Sequence, residues 1–140
     1  MRTIVYIAIC LSLFIHQGCT DRDIIDVKEG VALPVVTNLS LSAGADKNVT
    51  LTWGIPAAIP ESIKQPLSVL IEVREVIGPM RTTTVLSTHL ANAPTEFVYT
   101  LPDETKTYHF TVKLNGGLKV ADPNYSSNIY SLGETVSYTR

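Results

Sequence analysis

Few side chains in this sequence could do nucleophilic, acid–base or metal chemistry. The 140 residues include only three histidines and two cysteines. His109 lies between two apolar residues of an alternating stretch and is predicted to face solvent, whereas His89 lies in a turn-like stretch far from any nucleophile. The adjacent carboxylates Asp103 and Glu104 are typical of a solvated turn. We therefore predict no catalytic residue and no metal site.

The motifs of known catalytic centres are also missing. The sequence contains no Gly-x-Ser-x-Gly elbow, no phosphate-binding glycine-rich loop, no His-Glu-x-x-His pair and no cysteine cluster. It thus predicts a protein that is not an enzyme and needs no cofactor. A hydrolase with an unrecognised site is the weakest alternative, because it requires His89 or His109 within about 3.2 Å of a nucleophile or carboxylate.

The remaining reactive candidate, Cys19, follows an apolar N-terminal segment. A short positive flank precedes residues 3–15, which carry no charge. A helix needs roughly 18 to 20 apolar residues to cross a bilayer, and His16 interrupts the run before that length. No pair of small residues marks an ordinary cleavage site. The segment therefore predicts a cleaved signal peptide over residues 1–18 rather than a permanent membrane helix.

The pair Gly18-Cys19 resembles the lipobox of bacterial lipoproteins. His16 and Gln17 depart from the commonest lipobox and match the looser form of Bacteroidetes-type lipoproteins. The resemblance implies that Cys19 is diacylated on sulfur, becomes the new N-terminus and holds the protein on a membrane through its acyl chains. The alternative is an ordinary cysteine beside a signal peptide.

Composition limits what the mature chain could bind. Without its first 18 residues the chain would keep 122, with 10 basic against 13 acidic side chains, because Arg2 is the one charged residue removed. Cys10 would leave with the signal, so no disulfide framework is possible. Neither a basic patch nor an aromatic stacking platform is present, which argues against nucleic acid as a partner. The length suits one domain.

Residues 19–33 are predicted to be a lipid-anchored tether, polar and rich in charge up to Gly30. Acidic side chains soon after the cysteine resemble the surface-export signal of Bacteroidetes lipoproteins. The resemblance implies an outer-membrane protein anchored at the cell surface.

From Pro34 onward the sequence alternates between apolar and polar residues in short stretches separated by Gly, Pro, Asn and Asp. Val49, Leu51 and Trp53, for example, are predicted to face the core. The pattern predicts an all-β domain over residues 34–133, with a tail at residues 134–140. Seven strands are predicted, at residues 36–42, 48–54, 67–77, 81–87, 96–101, 107–114 and 127–132.

Seven such strands, each with one apolar face, predict two antiparallel sheets packed as a sandwich. The order of landmarks resembles a fibronectin type III domain, a member of the immunoglobulin-like sandwiches; these landmarks are Leu39, Trp53, Leu101, Pro102, Tyr108 and the closing Ser127-Asn128-Ile129. In that family the segment from Leu101 to Tyr108 forms a tyrosine corner, in which the phenol hydroxyl bonds an upstream backbone group. Here the corner holds one residue more than usual.

Two long loops are the predicted binding region, since loops vary while sheets hold them in place. The resemblance implies that residues 54–66 and 115–126 emerge at one end of the sandwich. Lys64, Lys119, Asp122 and Tyr125 would then line one patch, where Tyr125 could stack on a sugar ring or a peptide. A loop that merely covers the core is the competing interpretation.

The sequence thus leaves two functions open beside the hydrolase. One is a binding or accessory module at the bacterial surface, for which a glycan is a candidate ligand and which predicts sensitivity to Tyr125→Ala. The other is a structural or assembly module that binds a second envelope protein through its strand edges.

Overall fold

The computed structural model describes residues 30–121 and 126–140. These residues form strands and connecting loops without a helix, and so include no helix long and apolar enough to cross a membrane. The eight strands are β1 (Thr37–Ala43), β2 (Asn48–Gly54), β3 (Ser68–Gly78), β4 (Arg81–Leu90), β5 (Glu96–Thr100), β6 (Tyr108–Gly117), β7 (Asn128–Tyr130) and β8 (Glu134–Tyr138).

The strands form two antiparallel sheets. The smaller sheet has the order β1-β2-β5, and the larger has the order β4-β3-β6-β7, with β8 pairing the other half of β6. All pairings are antiparallel, and β4 lies at an edge of the larger sheet. The all-β prediction with two antiparallel sheets is therefore confirmed.

One hydrophobic cluster joins the inner faces of both sheets. In β2 the side chains of Val49, Leu51 and Trp53 are buried while the residues between them are not, which is the predicted alternation. In β6 the same alternation buries every second residue from Tyr108. The ring of Tyr99 in the smaller sheet meets that of Phe110 in the larger, edge to face, with centroids 5.8 Å apart. Each fully buried apolar side chain stabilises the fold by about 1.5 to 3 kcal/mol.

The domain is longer at both ends than the sequence predicted. Leu33, assigned to the tether, is 5% exposed and belongs to the core cluster. Residues 134–138, assigned to a tail, form β8 and pair with β6 from Val112 to Tyr108. The described residues thus form eight strands, where the sequence predicted seven. Only two of the five side chains of β8 are partly buried, so the segment shows little of the apolar signal of a strand.

A bulge separates β7 from β8. Ser131 is buried, and its hydroxyl accepts a hydrogen bond from the Leu114 amide at 2.9 Å, while its own amide donates to the Leu114 carbonyl. Gly133 then adopts a φ of 89°, and a Cβ there would lie 2.6 Å from Lys113 Cγ. This backbone region and the lack of space both favour glycine. The two short strands therefore act as one interrupted edge.

The predicted hydrogen bond of the tyrosine corner is present. The Asp103 amide donates to the Tyr108 hydroxyl at 3.3 Å, and Tyr108 is fully buried. Asp103 Oδ1 in turn accepts from the amide and the hydroxyl of Thr105, at 2.9 and 2.6 Å. These hydrogen bonds with Thr105 lower the pKa of the Asp103 carboxyl.

The strand directions give the domain two distinct ends. The chain reaches the core at Leu33, close to the β2–β3 and β6–β7 connections, and we name this the tether end. The β1–β2 turn, the tip of the β3–β4 hairpin and the tyrosine corner lie at the opposite end, named the far end. Of the candidate binding residues predicted from the two long loops, the two that the structure describes, Lys64 and Lys119, lie at the tether end.

Candidate functional site

The two long loops meet at the tether end, as predicted. Ile63 and Leu118 form an isolated antiparallel bridge. The Lys64 amide donates to the Gly117 carbonyl and the Lys119 amide donates to the Ser62 carbonyl, each at 2.8 Å. These bonds fix Lys64 and Lys119 on adjoining backbone segments with both side chains exposed.

Close packing beneath this bridge depends on Gly116. A Cβ at Gly116 would lie 2.6 Å from Ile63 Cγ2, 2.8 Å from Leu67 Cδ2 and 3.7 Å from Leu33 Cδ1. Ile63 and Leu67 are 1% and 2% exposed. The loop therefore inserts apolar side chains into the core while its lysines remain at the surface, an arrangement that both covers the core and presents charge.

Three predicted site residues cannot be placed. Cys19, Asp122 and Tyr125 lie outside the described residues, and the lipid attachment and the ligand-binding role of all four patch residues stay predictions. The described part of the predicted patch consists of Lys64 and Lys119, and the structure adds their neighbour Val120, which is 80% exposed. We name these three residues the tether-end patch. Neither lysine forms an ion pair with another described residue.

His89 lies within β4, not in a turn as the sequence suggested, because β4 continues to Leu90. Its ring meets that of Tyr130 on β7 in an edge-to-face contact, with centroids 6.1 Å apart. Leu70 pairs with His89 in the strand register, faces away from the core, and is still only 9% exposed. The surrounding side chains therefore cover it.

Charged side chains lie beside these residues on the same outer face of the larger sheet. Lys113, the β6 partner of Leu70, donates to Glu72 at 3.0 Å, and Arg74 lies 3.9 Å from the same carboxylate group. We name the group of Leu70, Glu72, His89, Lys113 and Tyr130 the sheet-face cluster. Aromatic rings beside hydrogen-bonding groups can contact both the apolar and the polar side of an amphipathic ligand.

The sequence could not reveal the sheet-face cluster. His89 and Tyr130 belong to strands separated by two others, so only the register of the whole sheet brings their rings together. Tyr130 was a weak sign of this surface in the sequence, because a large aromatic side chain is unusual at a solvent-facing position of a short polar strand.

The groups considered for acid–base chemistry form no catalytic arrangement among the described residues. Neither His89 nor His109 has a side-chain hydrogen bond to a described residue, and no described group of three metal-ligating side chains is close enough to hold an ion. Asp103 is engaged with Thr105, as described above. Glu75 accepts from Lys106 at 2.6 Å, and this hydrogen bond raises the pKa of the Lys106 amine.

Trp53 is a core residue, 5% exposed, as its position in the alternation predicted. Its indole Nε1 is buried without a hydrogen-bond partner among the described residues. An unpaired buried donor costs on the order of 1 to 3 kcal/mol, which the burial of a large ring offsets.

A family profile described as a domain of unknown function, DUF4945, matches residues 19–138. The chain belongs to the DUF4945 family. No curated protein matches the chain significantly.

The DUF4945 match begins at Cys19 and ends at Tyr138, the last residue of β8. The family domain thus includes the bulge and β8, in agreement with the observed eight strands. It also includes the residues between Cys19 and the first core side chain, Leu33.

Proposed function

We propose that this DUF4945 protein is a lipid-anchored component of the bacterial cell envelope, held on the outer membrane at the cell surface. The observation that carries the proposal is the order of an apolar segment and Gly18-Cys19. The family match starting at Cys19 supports it, because the shared region begins at the residue proposed as the mature N-terminus. In this role the domain is a binding or accessory module without catalysis.

We infer that the domain is a fibronectin type III-like sandwich. The sheet orders β1-β2-β5 and β4-β3-β6-β7 support this classification, because the fourth strand joins the larger sheet rather than the smaller one. The hydrogen bond from the Asp103 amide to the Tyr108 hydroxyl also supports it, because a tyrosine corner is typical of such sandwiches. Such domains host unrelated functions, so the function must be argued from surfaces.

The anchor is tested by the intact mass of the protein purified from its native host. We expect the wild type to carry acyl chains on a chain starting at Cys19, and Cys19→Ala to lack them. Cys10→Ala is the matched control, since that cysteine lies within the proposed signal and its loss should leave the mature mass unchanged. A wild-type chain without acyl groups would contradict the proposal.

Two surfaces are candidates for the ligand, and a glycan is the ligand class that we propose to test. The loop patch with Tyr125 and the sheet-face cluster with Tyr130 each offer an aromatic ring near charged groups. Titration calorimetry with glycans should give saturable binding that either Tyr125→Ala or Tyr130→Ala removes. Binding that neither variant weakens would contradict both surfaces, and no saturable binding would contradict the glycan.

The edge strand β4 favours a second candidate, an assembly module that pairs with another envelope protein. Residues 82–88 carry no charged side chain, and charge is a common protection of sheet edges. A bulge at Val85 interrupts the edge, since Val73 pairs with Leu86 and Arg74 with Thr84. Thr82→Lys should then abolish co-purification of the partner, whereas Thr135→Lys on β8 should not.

A further inference from the structure

We propose that the tether-end patch contacts the anionic headgroups of the bilayer that holds Cys19. This inference rests on the proposed lipid anchor and names a partner for Lys64, Lys119 and Val120.

The place where the chain reaches the core determines which end lies nearest the anchor. Fourteen residues follow Cys19 up to Leu33, and a fully extended chain of that length spans at most about 46 to 50 Å. The 11-residue strand β3 makes the domain about 37 Å long. The far end can therefore reach the bilayer only with a nearly extended tether beside the domain, whereas the tether end needs no extension.

The chemistry of the tether-end patch suits an anionic interface. Lys64 and Lys119 are exposed, lie on adjoining backbone segments, and form no ion pair with a described residue. Val120 adds an apolar side chain that is 80% exposed. Lysine is attracted to anionic headgroups within a Debye length, about 8 to 10 Å at physiological salt. Glu61 on the same loop weakens this attraction.

The far end provides internal controls. Lys47 lies in the β1–β2 turn, and Lys106 lies in the tyrosine corner with its amine bound to Glu75. All four lysines are exposed. Their reactivity therefore reports which end of the domain the membrane covers.

The test is lysine acetylation of the full acylated protein, read by mass spectrometry. The protein is compared in detergent micelles, in phosphatidylcholine vesicles and in vesicles of equal parts phosphatidylcholine and phosphatidylglycerol. We expect acetylation of Lys64 and Lys119 to fall several-fold in the anionic vesicles alone, with Lys47 and Lys106 unchanged. Acetylation of Lys64 and Lys119 that is the same in micelles and in anionic vesicles would overturn the inference, as would equal protection in phosphatidylcholine.

Variants make the charge dependence explicit. In the wild type we expect slow hydrogen exchange at the amides of Leu118 and Val120 on anionic vesicles. Lys64→Gln with Lys119→Gln should make this exchange fast, and Lys47→Gln with Lys106→Gln should not. Exchange that stays slow in the first pair overturns the inference. The intact mass distinguishes failure of the lipid anchor from failure of the headgroup contact. An unacylated chain refutes both, whereas an acylated chain whose Lys64 and Lys119 react equally in micelles and anionic vesicles refutes the contact alone.

Discussion

At the tether end, loop side chains insert into the core against Gly116, whereas at the far end the connections are held by hydrogen bonds and one ion pair. Ile63 and Leu67 are nearly inaccessible to solvent, and the bond between Asp103 and Tyr108 is only one of several polar contacts at the corner. Buried apolar contacts contribute more than single polar ones. The loop proposed to meet the membrane is therefore built as part of the core.

The largest effect is expected from Ile63→Ala. Removing a fully buried branched side chain leaves a cavity and should lower the free energy of unfolding by about 2 to 5 kcal/mol. Ile77→Ala at the far end is the matched control, because Ile77 is 50% exposed, and it should cost far less. Urea denaturation measures both. Equal losses would show that the two ends do not differ in this way.

Gly116→Ala is expected to have the next largest effect. The added Cβ would lie 2.6 Å from Ile63 Cγ2, so the loop or the strand must shift, at about 1 to 3 kcal/mol. Gly44→Ala serves as the control, since a Cβ there finds its nearest atom at 3.5 Å. Thermal unfolding of both variants measures the difference. A Gly116→Ala protein as stable as the wild type would mean that the loop adapts freely.

The same contrast explains how much the sequence could predict. Strand β2 lies at the predicted residues, Asn48–Gly54, because one of its faces is buried and the other is solvated, which produces a clear alternation. Strand β8 and the end of β4 are edge strands with little burial, so their sequences resemble tails and turns. Leu33 was missed because it lies in a continuous apolar run, residues 31–36, in which no alternation separates buried from exposed side chains.

The two candidate surfaces also differ in how far the sequence could predict them. The meeting of Lys64 and Lys119 followed from a resemblance that fixes which loops share an end, and the structure confirms it. The contact between His89 and Tyr130 depends on the register of four strands, which alternation alone does not define.

Tyr108→Phe tests the far end with a smaller expected effect. The variant keeps the buried ring and removes the hydroxyl that accepts from the Asp103 amide, so the free energy of unfolding should fall by about 1 kcal/mol. Tyr130→Phe is the control, since no hydrogen bond joins its hydroxyl to a described residue. A loss as large as that of Ile63→Ala would show that the corner organises the core.

The smallest effect concerns acid. The hydrogen bonds with Thr105 lower the pKa of the Asp103 carboxyl in the folded state. The ionised carboxylate therefore stabilises the fold at pH values above 3.8, its ordinary pKa. This contribution is lost as the pH falls through the lowered folded pKa. Asp103→Asn lacks the titration, so the difference in melting temperature between wild type and variant should shrink below pH 3.8 and stay constant above it.

Asp46→Asn, in the β1–β2 turn of the same end, controls for the change in net charge. A difference between wild type and Asp103→Asn that is independent of pH would mean that the carboxylate acts only through the shape of its turn.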